Sequence, residues 1–406
     1  MIENKDNDRV ELPIHREFDF DYKRGIMIYF DNSATTRPSA KVIEAMTNNL
    51  NSELYGNPGS LHKLGVEADR RLADVTLNTA KLLGADKDEI YFSSCGTEGS
   101  NTLIKGFAHK YAKRLGKTII STRTEHKATL EVLKSLEDEG FNVLYVPVGR
   151  DGKPDHMKLS EMITDDTMLF CFTHVNNETG ALLPLPEIVD IRNRLAPDAK
   201  IFIDFVQSLG KLPIDLHKSG ADMATVSGHK IHGIKGVGVY YLNKNIRIDP
   251  LILGGGQQNG MRSGTQSLIL AESFMVALDE ISSKREENYK TVSSINKYLR
   301  EELSKRGHKI LSPDDALPYV LNVSFDGFES ETMLHSLEIY DIYVSTISAC
   351  SSKTKKVSYV LLEMGVDRKT AANAVRLSFS GYNTQSEAEE FIRCVDKIYD
   401  RFSLKR

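Results

Sequence analysis

The chain has 406 residues, of which 40% are hydrophobic and 27% charged, and a net charge of -4. This length predicts two domains, and the slightly acidic balance argues against a nucleic-acid-binding protein. No apolar run approaches the roughly 18 residues that a membrane-spanning helix needs. Four widely spaced cysteines without a CxxC pair or neighbouring histidines argue against a disulfide scaffold and a metal site, and favour a reducing cytoplasm.

Residues 1–27 show neither apolar periodicity nor the apolar stretch of a secretory signal, and are interpreted as an N-terminal extension. From residue 28 to about residue 275, strand-like apolar runs alternate with amphipathic helical stretches. The predicted strands are Glu89–Phe92, Thr118–Ser121, Met168–His174, Lys200–Phe205, Ala224–Ser227 and Gly238–Leu242. The predicted helices are Ser60–Leu83, Glu98–Leu115, Ala128–Asp138 and Pro186–Arg194. This alternation predicts an α/β domain with a mostly parallel sheet covered by helices.

A charged helical stretch over residues 271–305 is interpreted as the connector to a second domain. After it we predict a strand at Tyr319–Phe325, a helix at Glu331–Leu337, a strand within Ala371–Ser380 and a closing helix at Glu387–Phe402. Residues 28–275 are therefore predicted to form a large domain, and residues 276–406 a smaller α+β domain. The first residues of the large domain are expected to pack with the small one.

Lys230 closes the tetrapeptide that begins at Ser227, just after a predicted strand. A lysine among small and polar residues at a strand end can hold a carbonyl compound as a Schiff base. Ser227 and His229 offer donors for a phosphate, and Gly228 allows a close approach of the backbone. Taken alone, the lysine also fits a solvated surface residue.

Asp204 ends the preceding predicted strand, and Gln207 follows three residues later. A carboxylate in this place can keep a pyridine nitrogen protonated, while the amide can bind a ring hydroxyl. An exposed strand cap is an equally good interpretation of Asp204 alone. Together with Lys230, however, the two residues provide what the opposite ends of a pyridoxal phosphate molecule require.

Three further polar groups follow predicted strands, where ligands collect in parallel sheets. Gly96 and Thr97 begin a helix and can bind a phosphate, although an ordinary capped helix has the same pattern. His126 can stack on a pyridine ring and move protons, or simply lie at the surface. Asn177 can bind a phenolate or a substrate carboxylate, or form part of a turn.

Cys350 and Arg376 lie in the predicted small domain. Cys350 stands in a polar loop of small residues with several lysines after it, a setting that favours the reactive thiolate over a buried structural thiol. An idle surface thiol is its alternative. Arg376 alternates with apolar residues on a predicted strand, and can bind a carboxylate through two hydrogen bonds or face solvent.

With these residues in place, the chain resembles the pyridoxal-phosphate-dependent cysteine desulfurases of the aminotransferase class V family. The resemblance runs from about residue 28 to the C-terminus and depends on many ordered matches. The matching strings are Tyr29–Thr36, Gly56–Pro58, Thr124–Lys127, His174–Glu178, Ser227–Lys230, Gly254–Gly256, Met261–Thr265 and Ser348–Cys350.

The resemblance implies a role for each candidate. It makes Lys230 the Schiff-base lysine and Cys350 the thiol that becomes a persulfide. His126 is then the ring-stacking acid/base, and Asp204 the partner of the pyridine nitrogen. Asn177 and Gln207 are implied to bind the ring oxygen, and Arg376 with Asn177 the substrate carboxylate. The residues implied to bind the phosphate are Gly96, Thr97, Ser227 and His229. Thr265 is implied to reach the phosphate of a neighbouring subunit.

The implied fold is that of the fold type I pyridoxal phosphate transferases, with a seven-stranded sheet in the large domain. The implied reaction converts L-cysteine to L-alanine in a homodimer that passes sulfur to an acceptor protein for iron–sulfur cluster assembly or tRNA thiolation. The length from Cys350 to Tyr359 matches the long-loop type. Two features depart from that type: Ile347 stands where a glycine is common, and Lys353–Lys356 is rich in lysine.

Two other classes of function are compatible with the same residues. One is a selenocysteine lyase or another β-eliminating pyridoxal phosphate enzyme, whose chemistry needs no protein thiol and so leaves Cys350 unexplained. The other is a non-catalytic scaffold of a sulfur-transfer system, against which the presence of Lys230, Asp204 and His126 argues.

Overall fold

The computed structural model describes residues 27–346 and 357–403. The N-terminal extension up to residue 26, Cys350, Ile347 and the lysine-rich stretch Lys353–Lys356 lie outside the described residues. Across the described helices, none combines the length and the apolar character that crossing a membrane requires.

The strands are β1 Ile28–Tyr29, β2 Ile90–Ser93, β3 Thr118–Thr122, β4 Asn142–Val146, β5 Thr167–Thr173, β6 Lys200–Asp204, β7 Met223–Ser227, β8 Gly238–Leu242, β9 Lys309–Ile310, β10 Val320–Ser324, β11 Ile342–Tyr343 and β12 Ala374–Ser378. The helices are α1 Ala40–Leu50, α2 Lys63–Leu83, α3 Gly96–Leu115, α4 Lys127–Asp138, α5 His156–Met162, α6 Leu185–Leu195, α7 Leu216–Ser219, α8 Leu268–Ser283, α9 Arg285–Lys305, α10 Ser330–Glu338, α11 Tyr359–Glu363, α12 Arg368–Ala372 and α13 Gln385–Ser403.

The large domain is built on a seven-stranded sheet with the strand order β2-β8-β7-β6-β5-β3-β4. Neighbouring strands from β7 through to β4 run parallel, whereas β8 is antiparallel to both β7 and β2. The prediction of an α/β fold with a mostly parallel seven-stranded sheet is therefore confirmed. Because the parallel strands end at one edge, the polar residues that follow them meet there.

The sheet is covered on both faces, so the middle of its central strands is apolar on both sides. In β5, the side chains of Phe170 and Phe172 join one core cluster while those of Leu169 and Cys171 join another, as strand alternation requires. These four residues have no exposed surface. The apolar run in this part of the sequence thus reflects a strand buried from both sides.

The smaller domain contains the antiparallel sheet β12-β10-β9 and a separate core, to which α9 and α13 contribute. The chain enters the molecule beside this domain, because β1 pairs in parallel with β11 and Phe30 packs on Phe379. Asp31 then forms a bridge to Ser378 at the end of β12. The first residues after the extension therefore pack with the small domain before the chain continues into the large one.

Some elements differ from the sequence-based prediction. The edge strand β4 and the helices α1 and α5 were not predicted, and the helix predicted from Ser60 begins at Lys63. The predicted connector is two helices: α8 packs on the large-domain helices α1 and α2, and α9 packs on α13. The boundary between residues 275 and 276 falls within α8, and the division into domains at that point stays a prediction.

Candidate functional site

A cavity of about 380 Å³ lies at the edge of the large sheet where the parallel strands end. The N-terminus of α3, the ends of β5, β6 and β7, and Arg376 from the small domain surround it. The predicted residues that line it are Gly96, Thr97, His126, Asn177, Asp204, Gln207, Ser227, His229, Lys230 and Arg376. The fold thus brings together residues that are far apart in the sequence.

One part of the cavity is formed by the first turn of α3. Gly96 begins this 20-residue helix, and its backbone carbonyl accepts a hydrogen bond from Thr225 Oγ1. A Cβ at position 96 would lie 2.9 Å from Val206 Cγ2, so a side chain there would have no room. The hydroxyl of Ser227 also lines this wall, is buried, and has no hydrogen-bond partner among the described residues. A helix N-terminus with an unused buried hydroxyl suits a phosphate group.

Lys230 occupies the turn after β7, with its side chain directed at the N-terminal segment. Its Nζ donates to the backbone oxygens of Ser33 at 2.5 Å and Ala34 at 2.7 Å. Burial, and then the Arg376 guanidinium, lower the pKa of the amine to about 8, while Asp31 and Asp204 act in the opposite direction. Roughly one tenth of this lysine is therefore neutral at pH 7, far more than of an unshifted lysine, and attack on a carbonyl group requires the neutral form.

Asp204 and His126 form a second polar wall. Asp204 is buried, and its Oδ1 accepts from the backbone N–H of Val206 at 2.8 Å. Burial raises the pKa of this carboxyl, while the nearby His126 opposes that shift. His126 Nδ1 accepts from the Ala128 N–H at 3.1 Å, so the neutral ring carries its proton on Nε2; burial lowers its pKa. The pair can offer a carboxylate and a proton donor to a bound ring.

Asn177 and Arg376 lie where the large and small domains meet. Arg376 is 7% exposed, donates through Nη1 to the Asn177 backbone oxygen at 3.0 Å, and forms an ion pair with Asp31 through Nη2 at 2.8 Å. Arg376 Nε and Asn177 Oδ1 are buried without a partner among the described residues. The unused Nε–H of Arg376 can donate to a small carboxylate ligand, whereas Asn177 Oδ1 can only accept, so Asn177 would bind a carboxylate through its amide N–H groups.

Gln207 is held at both ends of its amide. Its Nε2 donates to Ser33 O at 3.0 Å, and its Oε1 accepts from the buried Nζ of Lys211 at 3.1 Å. Burial, and then Lys230 and Arg376, lower the pKa of Lys211 to about 7. Because each amide end has a fixed partner, the second N–H of Gln207 is the group available to an acceptor in the cavity.

These groups fit the chemistry of pyridoxal phosphate. The helix N-terminus with Ser227 suits the phosphate, the partly neutral Lys230 suits the aldehyde, and Asp204 suits the pyridine nitrogen. Gln207 and Asn177 supply amides for the ring oxygen. The roles of the individual residues stay predictions.

Two predicted residues are not part of this cavity wall. Thr265 is exposed on the loop before α8 and lines a separate small pocket with Arg262 and Ser94. The structure describes a single chain, so its predicted contact with a second subunit stays a prediction. Cys350 lies outside the described residues.

Sequence reasoning missed several residues that line the cavity. Ser33 and Ala34 bind Lys230 through backbone oxygens, which side-chain chemistry does not signal, although they lie within the matched string Tyr29–Thr36. Cys95, Thr173 and Val206 also contribute to the wall. The proximity of Cys95 to Gly96 was the one available signal for it.

A possible metal-binding cluster lies away from the cavity. Among the described residues, the side chains of Asp86, Glu89 and His217 bring one ligand atom each to within 4.8 Å of one another. His217 Nε2 is 2.6 Å from Glu89 Oε2, and Lys244 Nζ donates to Asp86 at 2.9 Å. A lysine ammonium among these carboxylates already provides their counter-charge, so the cluster is explained without an ion.

Comparison with known proteins adds a consistent set of relatives. The family described as Aminotransferase class-V matches residues 28–391. The chain is 40% identical over 385 residues to a "NifS/IcsS protein homolog" from Lactobacillus delbrueckii, covering 93% of this chain and 98% of the relative. It is 36% identical to "Cysteine desulfurase 2" from Trichormus variabilis, with coverages of 92% and 94%. A solved structure named "NIFS-LIKE PROTEIN" superposes with a TM-score of 0.87 at 37% identity, over 92% of this chain and all of that one.

Proposed function

The chain belongs to the aminotransferase class V family, and from this we propose that it is a pyridoxal-phosphate-dependent cysteine desulfurase that converts L-cysteine to L-alanine. The observation that carries the proposal is the joint position of Lys230, Asp204 and Arg376 around one cavity. The first binds an aldehyde, the second a protonated pyridine, and the third a carboxylate. An amino acid bound to the cofactor needs all three.

When bound, pyridoxal phosphate supplies an electron sink for negative charge on the substrate carbon. We assign the phosphate to the N-terminus of α3 with Ser227 and His229, and the ring nitrogen to Asp204. Lys230 would hold the aldehyde, and its amine, when free, would rest on the Ser33 and Ala34 oxygens as it does in this structure. The pKa of about 8 lets the same amine accept a proton from the substrate.

Substrate orientation falls to Arg376, whose unused Nε–H donates to the carboxylate of L-cysteine, and to the amide N–H groups of Asn177. His126 provides a second proton carrier through Nε2, since Nδ1 is occupied by the Ala128 N–H. The Cys350 thiolate then attacks the substrate sulfur: a sulfur–sulfur bond forms, the carbon–sulfur bond breaks, and its electron pair stays with the amino acid. Protonation of that carbon, together with return of the proton taken from Cα, gives alanine, and Cys350 keeps the sulfur as a persulfide.

We further propose a homodimer in a reducing cytoplasm. Large apolar side chains are exposed on the loops around the α2 N-terminus and near residue 253, with Leu61 97% and Leu253 78% exposed. Apolar exposure of this kind favours an interface with another protein surface. Leu253 directly precedes Gly254, and Gly254 lies against Ser263. Leu253 therefore adjoins the loop that carries Thr265. A second copy docked there would bring Thr265 to its partner's phosphate.

The presence of Cys350 favours this reaction over simple β-elimination, which needs no protein thiol. The name of a similar protein, "Cysteine desulfurase 2", favours cysteine over selenocysteine as the substrate. A non-catalytic scaffold would have no use for a lysine whose pKa is lowered to about 8 beside a buried carboxylate. The persulfide would pass to an acceptor protein of iron–sulfur cluster assembly or tRNA thiolation.

The test is mass spectrometry of the purified holoenzyme after incubation with L-cysteine. We expect alanine in solution and one added sulfur on the peptide containing Cys350. Cys350→Ala should abolish both alanine and the added sulfur, whereas Cys394→Ala, at a buried cysteine of α13, should keep them. Equal sulfide production by the Cys350→Ala variant, with pyruvate in place of alanine, would identify a β-eliminating lyase instead.

The low pKa of Lys230 predicts how the apoprotein captures its cofactor. Only the neutral amine attacks the aldehyde, so the capture rate should rise about tenfold per pH unit and level off above about pH 8, where an unshifted lysine would continue to about 10.5. Stopped-flow absorbance measures this rate. The same measurement with a small free amine in place of the protein corrects the pH dependence for ionisation of pyridoxal phosphate itself. Arg376→Gln removes a charge that lowers this pKa, and should move the plateau to higher pH. A rate that still climbs at pH 10 in the wild type would contradict the assignment.

A further inference from the structure

The stretch that carries Cys350 is fastened at its N-terminal side to the substrate-binding strand. Ser345 and Arg376 exchange two backbone hydrogen bonds, with N–O distances of 3.1 and 2.9 Å. Cys350 follows Ser345 by five residues, so the covalent chain keeps its Cα within about 17 Å of the Ser345 Cα. The covalent chain therefore limits how far Cys350 can lie from the strand of the residue proposed to bind the substrate carboxylate.

The C-terminal side is fastened beside the site by the side chains of Ser358 and Tyr359. Ser358 is 1% exposed, and its Oγ donates to Glu178 Oε2 at 2.5 Å while accepting from the Leu361 N–H at the start of α11. The Tyr359 hydroxyl donates to the Glu125 backbone oxygen at 2.8 Å. Further along, Arg150 donates to the Gly365 oxygen at 3.2 Å.

The two partners of this attachment directly adjoin predicted site residues. Glu125 immediately precedes His126, and Glu178 immediately follows Asn177. Both glutamates are buried, and burial raises the pKa of each carboxyl. Burying a carboxyl group is costly unless it is hydrogen-bonded, and Glu178 and Glu125 accept from Ser358 and Thr122. The Glu178 carboxyl and the Glu125 backbone oxygen thus link Ser358 and Tyr359 to the immediate neighbours of Asn177 and His126.

We infer that Ser358 and Tyr359 are positioning residues, which hold the C-terminal side of the Cys350 stretch against His126 and Asn177 so that the thiol meets the substrate sulfur. The inference rests on the proposed function, because it takes Cys350 as the sulfur acceptor. The pair acts through chain length and orientation, and touches neither cofactor nor substrate.

The size of the effect follows from the loss of one attachment. Val360 and Leu361 are fully buried, so α11 stays in place when a single hydroxyl is removed. Loss of one buried hydrogen bond at the attachment lowers the population of the positioned arrangement roughly fivefold. We therefore expect about a fivefold loss for a single substitution.

The test compares Tyr359→Phe with Tyr399→Phe, a matched control whose hydroxyl donates to the Asp326 backbone oxygen at 2.7 Å in the small domain. In the holoenzyme, Tyr359→Phe should lower single-turnover alanine formation about fivefold. The L-cysteine concentration that half-saturates the cofactor absorbance change should stay within about twofold. The rate at which iodoacetamide labels Cys350 should also rise at least about twofold, because the stretch is attached less firmly. Peptide mass spectrometry measures this rate, with Cys95 as the internal reference. Tyr399→Phe should resemble the wild type in all three measurements.

Glu178 provides a rescue experiment that does not remove the tyrosine. Glu178→Gln keeps an oxygen that accepts from Ser358 and should retain most of the alanine rate, whereas Glu178→Leu should match the loss seen with Ser358→Ala. The inference is overturned if Tyr359→Phe behaves as Tyr399→Phe does, or if its substrate titration shifts as much as its rate. Absence of alanine from the wild type would instead refute the proposed function, while the Cys350 labelling rates would still report on the attachment.

Discussion

Replacement of Lys230 by alanine is expected to lower alanine formation by about a thousandfold or more, because the change removes both the amine that binds the aldehyde and a proton acceptor. The structure gives this lysine a lowered pKa of about 8 and two backbone oxygens at which the free amine rests. Steady-state alanine release measures the loss. Peptide mapping after borohydride reduction should find cofactor on Lys230 in the wild type and on no lysine in the variant.

Two companion variants separate chemistry from charge. Lys230→Arg preserves a cation near Asp204 but cannot bind an aldehyde, and should be as inactive as alanine. Lys235→Ala, at an exposed lysine of the same turn, should keep wild-type activity. Substantial turnover by the arginine variant would mean that position 230 contributes only charge, and the proposed mechanism would not survive that result.

The sequence predicted the architecture of the site well because parallel strands carry a strong signal. The middle residues of β5 and β6 are all apolar, and the polar residues at or just after the ends of such strands must meet at one edge of the sheet. This is why Asp204, Asn177 and Lys230 could be placed together before any contact was known. The short strand β4 lies at the sheet edge with mostly half-buried residues, so its pattern was too weak to distinguish.

The supporting contacts were beyond sequence reasoning because they join distant positions through backbone atoms or buried side chains. The Ser358–Glu178 and Tyr359–Glu125 hydrogen bonds span 180 and 234 residues. Lys211 resembles an ordinary surface lysine in the sequence, yet the turn after β6 buries it against Gln207. Charge and residue type identify the groups that touch a ligand, but the groups that orient them depend on tertiary packing.

Asp204→Asn is expected to reduce the turnover number about a hundredfold or more while leaving cofactor bound. Asparagine has nearly the same size and can still accept from the Val206 N–H, but it carries no negative charge to keep a pyridine nitrogen protonated. Charge that develops in the transition state is then stabilised much less, and loss of one such interaction typically costs 10²–10³ in rate. Comparison of alanine release with the cofactor content of the same sample gives the rate per occupied site.

Glu89→Gln is the matched control, since Glu89 is also a buried carboxylate next to the same sheet but binds His217 and the Lys244 N–H away from the cavity. It should alter stability without altering the rate per bound cofactor. Asp204 also raises the pKa of His126, so Asp204→Asn should lower that pKa further and shift any histidine-dependent limb of the pH profile to lower pH. If the asparagine variant turned over as fast as the glutamine control, the buried carboxylate would be a structural element of β6. The electron-sink role would then have to come from hydrogen bonding by Gln207 and Asn177, which carry no charge.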